Sequence, residues 1–85
     1  MKKLQGKIIK GLQQCEDIDI VYKAYVMRDL GKEIEILDHE NLDEWLRCGG
    51  HLQTFCVDRT EVVDIIGRFD IDMINEFKRL NKMLE

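Results

Sequence analysis

The sequence predicts a small α+β domain: a single-layer sheet of three strands, antiparallel or mixed, packed against helices in the order α-β-β-α-β-α(α). Three observations carry this. Apolar and polar residues alternate between Ile18 and Leu37, capping patterns stand at Asn41 and Asp58, and apolar spacings of three and four run from Val62 to Leu84. With 85 residues, 45% of them hydrophobic and 35% charged, the chain reads as one domain spanning residues 1–85. An all-α arrangement stays open as the alternative, because the second segment fits both periods.

The elements follow in order. From Lys2 to Gln14, Leu4, Ile8 and Leu12 recur every fourth residue with Ile9 beside them, which predicts an amphipathic helix weakened by Gly6 and Gly11. In Ile18 to Arg28, a strand would align Ile18, Ile20, Tyr22, Ala24 and Val26, whereas a helix would align Ile18, Val21, Tyr22, Tyr25 and Val26. β-Branched and aromatic composition favours the strand. Asp29-Leu-Gly-Lys32 then makes a short hairpin loop with Gly31 at the positive-φ position, and Lys32-Glu-Ile-Glu-Ile-Leu37 alternates cleanly.

Asn41-Leu-Asp-Glu44 reads as a capping box, Leu42, Trp45 and Leu46 as its helix's buried face, and Gly49 or Gly50 as the stop. His51 to Asp58 reads as a third, central strand with Phe55 and Val57 on one face and Leu52 and Cys56 on the other. Asp58-Arg-Thr-Glu61 repeats the capping pattern ahead of Val62, Ile66, Phe69, Met73, Phe77, Leu80 and Leu84, a helical stripe that makes one long helix or, broken at Gly67 and the Asp70-Ile-Asp72 step with Asp70 as a second cap, two. The stripe is broader than one small sheet needs. A second packing surface through residues 60–84, the N-terminal helix or another copy of the chain as a homodimer, is expected.

Charge is segregated along the chain. Residues 1–14 carry four lysines and no acid, residues 15–76 carry sixteen acids against six bases, and residues 77–85 are again net basic, for a total of −4. Net acidity argues against direct nucleic-acid binding, whose non-specific affinity comes from cations displacing phosphate counterions. The N-terminus has no hydrophobic core of a signal peptide and the chain has no membrane-length apolar run, so a cytoplasmic protein without membrane partners is expected. Three cysteines, an odd number, fit free thiols in a reducing compartment.

Chemistry-bearing patterns are few. Cys48-x2-His51-x4-Cys56 holds three zinc-type ligands across a glycine turn, but no paired knuckle completes a four-ligand set, so no metal and no cofactor is expected. Cys56 is expected to fill space inside the sheet like a small apolar residue. The chain has no serine, and Gly49-Gly50 follows a helix instead of preceding one, unlike phosphate-binding loops. Asp29 with Glu33 or Glu35 flanks the hairpin as paired carboxylates do in magnesium sites, without the lysine those sites carry.

The acidic run is the strongest functional signal. Between Lys32 and Arg47 stand Glu33, Glu35, Asp38, Glu40, Asp43 and Glu44 with no intervening Lys or Arg. Such a run makes a negative field that can steer and hold a basic surface. The expectation is a non-enzymatic protein-interaction module whose acidic face docks on a partner protein's basic surface, such as its nucleic-acid groove. That would make it an inhibitor or regulator of the kind mobile elements encode. Two alternatives stay open: a small structural zinc-binding or metal-dependent protein, and a homodimeric domain of other role.

Overall fold

A computed structural model describes residues 3–84, without the side chains of 77, 78 and 80–84. Along it run β1 (Lys7–Gln14), β2 (Asp19–Asp29), β3 (Glu33–Asp38), α1 (His39–Cys48), β4 (Thr54–Asp58), a 3-10 turn (Arg59–Glu61), β5 (Val62–Arg68) and α2 (Ile71–Leu84). The strands form one antiparallel sheet of five in the order β4-β3-β2-β1-β5. This overturns both the three-stranded sheet and the all-α alternative.

The first correction is β1, expected as a helix. Ile8 and Ile9 are β-branched, and as neighbours on a strand they point to opposite faces, each meeting a different apolar cluster. Ile9 becomes fully buried. Gly11, a cost to a helix, is needed here: a Cβ on it would sit 2.1 Å from Cζ of Tyr22, whose ring crosses the backbone of β1 at that point.

The second correction is β5, expected as the first half of a long helix. Two register shifts against β1 explain the misleading period. Gly11, Ile9 and Lys7, two apart on β1, face Val62, Ile65 and Arg68, three apart on β5. Each bulge lengthens a step of two into a step of three and so imitates helical spacing. The remaining helix, α2, starts where Asp70 accepts the Asp72 N–H at 2.9 Å, at the second cap the sequence proposed. The stripe of residues 60–84 is thus divided between a strand and a helix, and its Phe77, Leu80 and Leu84 side chains lie outside the described residues.

Smaller adjustments concern α1 and β4. Asp38 caps α1 by accepting the Glu40 N–H at 2.9 Å, three residues before the expected Asn41. Asn41 instead braces the following turn: its amide nitrogen donates to the His51 carbonyl and its oxygen accepts the Gln53 N–H. Gly49, with φ of 79°, ends the helix by donating its N–H to the Trp45 carbonyl. β4 lies at the sheet edge, not centrally, and Cys56 is exposed instead of filling space.

The sheet is strongly coiled. Laid flat, its two edge strands would stand about 19 Å apart. The link from Asp58 to Val62 reaches at most about 14 Å, and its three middle residues are wound into the 3-10 turn. The edges must therefore curl toward each other. Curling lets Val57 of β4 and Val62 of β5 pack on one cluster with Leu4, Ile9, Ala24, Val26, Ile34 and Ile36. The opposite face is covered by the helices and by Leu52: Leu42 and Trp45 of α1 and Ile71 and Ile74 of α2 meet Ile8, Tyr25, Met27 and Leu37. At about 1.5 to 3 kcal/mol for each fully buried aliphatic side chain, these two clusters are the main source of stability.

One part-buried ion pair pins the curl. Asp29, at the end of β2, accepts from the Leu4 N–H at 2.7 Å, the Gly31 N–H at 3.0 Å and Nη1 of Arg59 at 2.6 Å. Arg59 also donates to the Gly31 carbonyl from its side chain and to the Lys32 carbonyl from its backbone. The β2–β3 hairpin, the chain before β1 and the 3-10 turn therefore meet on one carboxylate.

Candidate functional site

Curling leaves an opening between β4 and the far end of the β1–β2 hairpin. It forms a groove of about 360 Å3 lined by Gln13, Ile20, Tyr22, Asp38, Phe55, Cys56, Val57, Asp58 and Glu61. The register explains the floor: Val57 and Phe55 pair with Ile34 and Ile36, so all four side chains share the inward face. Phe55 and Ile20 remain 48% and 42% exposed there. A larger depression beside Gly31, Lys32, Asp58, Arg59 and Thr60 has no aromatic or branched aliphatic side chain among its described lining residues, and its arginine is committed to Asp29.

Each polar group of the groove is held by local structure. Tyr22 lies across Gly11 and its hydroxyl donates to Oε1 of Glu61 at 2.8 Å. Burial, then the bond to Glu61, pushes the phenol above its ordinary value, so Tyr22 stays a neutral donor. Asp38 is fixed as the cap of α1. Asp58 accepts from the N–H and hydroxyl of Thr60 at 2.9 and 2.8 Å, and these bonds lower its carboxyl below the ordinary range. A carboxylate has about four lone-pair sites, so all three acids keep acceptor capacity beyond these bonds. Among the described lining residues none is basic.

The acidic run is dispersed by the fold. Glu33 is exposed opposite Asp58 on the paired strands. Glu35 receives a two-point hydrogen bond from Arg28 at 3.2 and 3.1 Å on the sheet face away from the groove. Glu40 and Glu44 are exposed on α1, and Asp43 pairs with Arg47 one turn on at 3.1 Å. Only Asp38 of the six lines the groove. Asp58, Glu61, Tyr22, Ile20 and Phe55 were missed as site residues. Asp58 and Glu61 were visible as a capping pattern, and nothing in the sequence placed them across from Asp38.

The metal-type residues are placed separately. Cys48 ends α1, His51 lies in the following loop and Cys56 sits mid-strand in β4, all three exposed. Among the described residues no three His, Cys, Asp or Glu side chains gather as a metal set. Asp29 spends its acceptors on Leu4, Gly31 and Arg59, so this hairpin carboxylate serves the fold. His39 pairs with the hydroxyl of buried Tyr25 at 2.6 Å, beneath an edge-on contact between Tyr25 and Phe69. Among the described residues no helix is long and apolar enough to cross a membrane.

Comparison with known proteins finds no match among protein-family models, curated proteins or solved structures. The functional reading rests on the groove itself.

Proposed function

We propose that this protein is a binding module that holds a basic, partly apolar segment of another protein in the groove beside β4, and regulates or inhibits that protein by occupying the segment. The observation that carries this reading is the meeting of Asp38 and Glu61 at a partly exposed apolar floor of Ile20, Phe55 and Val57, with Asp58 at the edge of the lining and no basic residue among the lining residues described. An apolar floor with a few convergent polar groups is the usual make-up of a binding site. The single-sign rim adds attraction for cations and a bias against anionic competitors. Three exposed thiols suit a reducing cytosol as the place of action.

The test uses a short acetylated and amidated peptide of alternating lysine and valine. Wild-type protein is expected to bind it with an affinity that falls as salt rises. The triple variant Asp38→Asn, Asp58→Asn, Glu61→Gln is expected to bind at least about tenfold more weakly, since three opposite charges have been removed. Equal affinity of the two proteins refutes the proposal. Asparagine keeps the capping oxygen at both aspartate positions, so loss of fold does not mimic loss of binding.

A further inference from the structure

The two edges of the sheet are built differently, and the difference selects one of them for use. Hydrogen-bonding parity follows from two backbone bonds. Leu30 donates its N–H to the Glu33 carbonyl, so on the unbulged β3 strand Glu33, Glu35 and Leu37 direct their main-chain groups to β2. Ile34 and Ile36 then direct theirs to β4, where they meet Val57 and Phe55. The N–H and C=O groups of Thr54 and Cys56 consequently face outward, and among the described residues no strand pairs with them. This edge has no register shift and lies directly beside the groove.

The β5 edge is blunted. Cys15 donates its N–H to the Ile18 carbonyl, and the same alternation turns Ile9 toward β2 and leaves Ile65, its neighbour on β5, facing outward. The outward N–H of Ile65 is taken by the Asp64 carboxylate at 2.9 Å, and two register shifts break the regular spacing that a further strand would need. Bulges and local charges are the devices by which proteins protect edge strands. Here they stand on β5 and are missing from β4.

We propose that the groove takes its cationic segment as an added strand, hydrogen-bonded to the outward main-chain groups of Thr54 and Cys56. This rests on the reading of the groove as a binding site for a basic segment of another protein and specifies how that segment is recognised. A strand placed about 4.8 Å beyond β4 has every second side chain on the face of Phe55 and Val57. Those side chains enter the groove, where lysines or arginines reach Asp38 and Glu61, and Asp58 adds its negative charge at the edge. Main-chain bonds supply affinity that does not depend on sequence, and the acids with the apolar floor supply selection for cationic segments.

The lysine-valine peptide and two N-methylated forms of it separate the two ideas. N-Methylation of alternate residues removes the donors on one side of the extended backbone and keeps charge and side chains. Methylation on the side that faces β4 is expected to weaken binding at least about tenfold, methylation on the other side less than about threefold, and amide exchange of Thr54 and Cys56 is expected to slow when the parent peptide binds. If both methylated peptides bind like the parent while the triple acid variant still fails to bind, strand addition is overturned and the groove reading stands. If the parent peptide binds the wild type and the triple acid variant equally, the groove reading falls and strand addition falls with it.

Discussion

Removing the Asp29 carboxylate should cost this small sheet a large part of its stability, with a pH signature that identifies the cause. Asp29 has a side chain only 7% exposed, and its bonds to Arg59, Leu4 and Gly31 hold its pKa down to about 2 from an ordinary 3.8. At 1.36 kcal/mol per unit, that difference corresponds to about 2 kcal/mol of stability at neutral pH. The sign follows from the depressed folded value. The contribution is fully present above the unfolded value of 3.8, shrinks to about 1 kcal/mol near pH 3 and vanishes as pH falls through the folded value of about 2. Asp29→Asn keeps the size and one acceptor oxygen but removes the charge. In urea unfolding, with a slope of about 1 kcal/mol per molar for a chain of this length, its midpoint should lie about 2 M below wild type at pH 7 and about 1 M below at pH 3. Asp29→Ala should be worse, because it also leaves the Leu4 and Gly31 N–H groups without this acceptor and removes the ion pair with Arg59. A gap between Asp29→Asn and wild type that stays constant from pH 7 to pH 3 would refute the argument, as would no gap at pH 7.

Three further outcomes are expected. Gly11→Ala should displace the Tyr22 ring, lower stability by about 1 to 3 kcal/mol in thermal unfolding, and let the Tyr22 phenol titrate closer to its ordinary value by ultraviolet absorbance; an unchanged titration contradicts the proposed contact. Ile36→Ala, at a fully buried position of the inward cluster, should cost about 2 to 5 kcal/mol, whereas Ile66→Ala on exposed β5 should cost under about 1 kcal/mol. Similar losses at the two positions would contradict the assignment of residues 62–68 to an edge strand. All three cysteines should react with a thiol reagent in the native protein without a slow phase, because Cys15, Cys48 and Cys56 are exposed; a protected Cys56 would mean that β4 is covered in solution.

The sequence pattern led correctly wherever local chemistry and tertiary packing agreed. The hairpin of β2 and β3 was readable because β-branched residues, Gly31 and a clean alternation all pointed one way. The end of α1 at Gly49 and the cap of α2 at Asp70 were readable for the same reason. β1 and β5 were not. In β1 the lysines at 7 and 10 and the apolar residues at 8, 9 and 12 fit a helical wheel, and the use of Gly11 depends on Tyr22 arriving from the next strand. In β5 the bulges insert residues that no local rule foresees, since they answer to the register of β1. The groove was hidden for a related reason: Asp38 and Glu61 meet at it only because the sheet curls, and the curl is set by how short the link from β4 to β5 is.

Two of the groove's three acids have a second duty, and this bears on how the site is to be probed and how it persists. Asp38 caps α1 and Asp58 caps the 3-10 turn, so each would be retained for the fold alone whether or not anything binds. Capping needs a side-chain oxygen and gains only modestly from charge, whereas attraction for a cation needs the charge itself. Asparagine therefore separates the roles at positions 38 and 58: stability should be nearly unchanged while cation affinity falls. Glu61 differs, because its bond to Tyr22 ties it to the groove wall and not to a helix end. If Asp38→Asn and Asp58→Asn are silent in both stability and binding while Glu61→Gln alone abolishes binding, the negative field is local to the Tyr22 side of the groove. The cationic side chain is then read there, and the two caps are only structure.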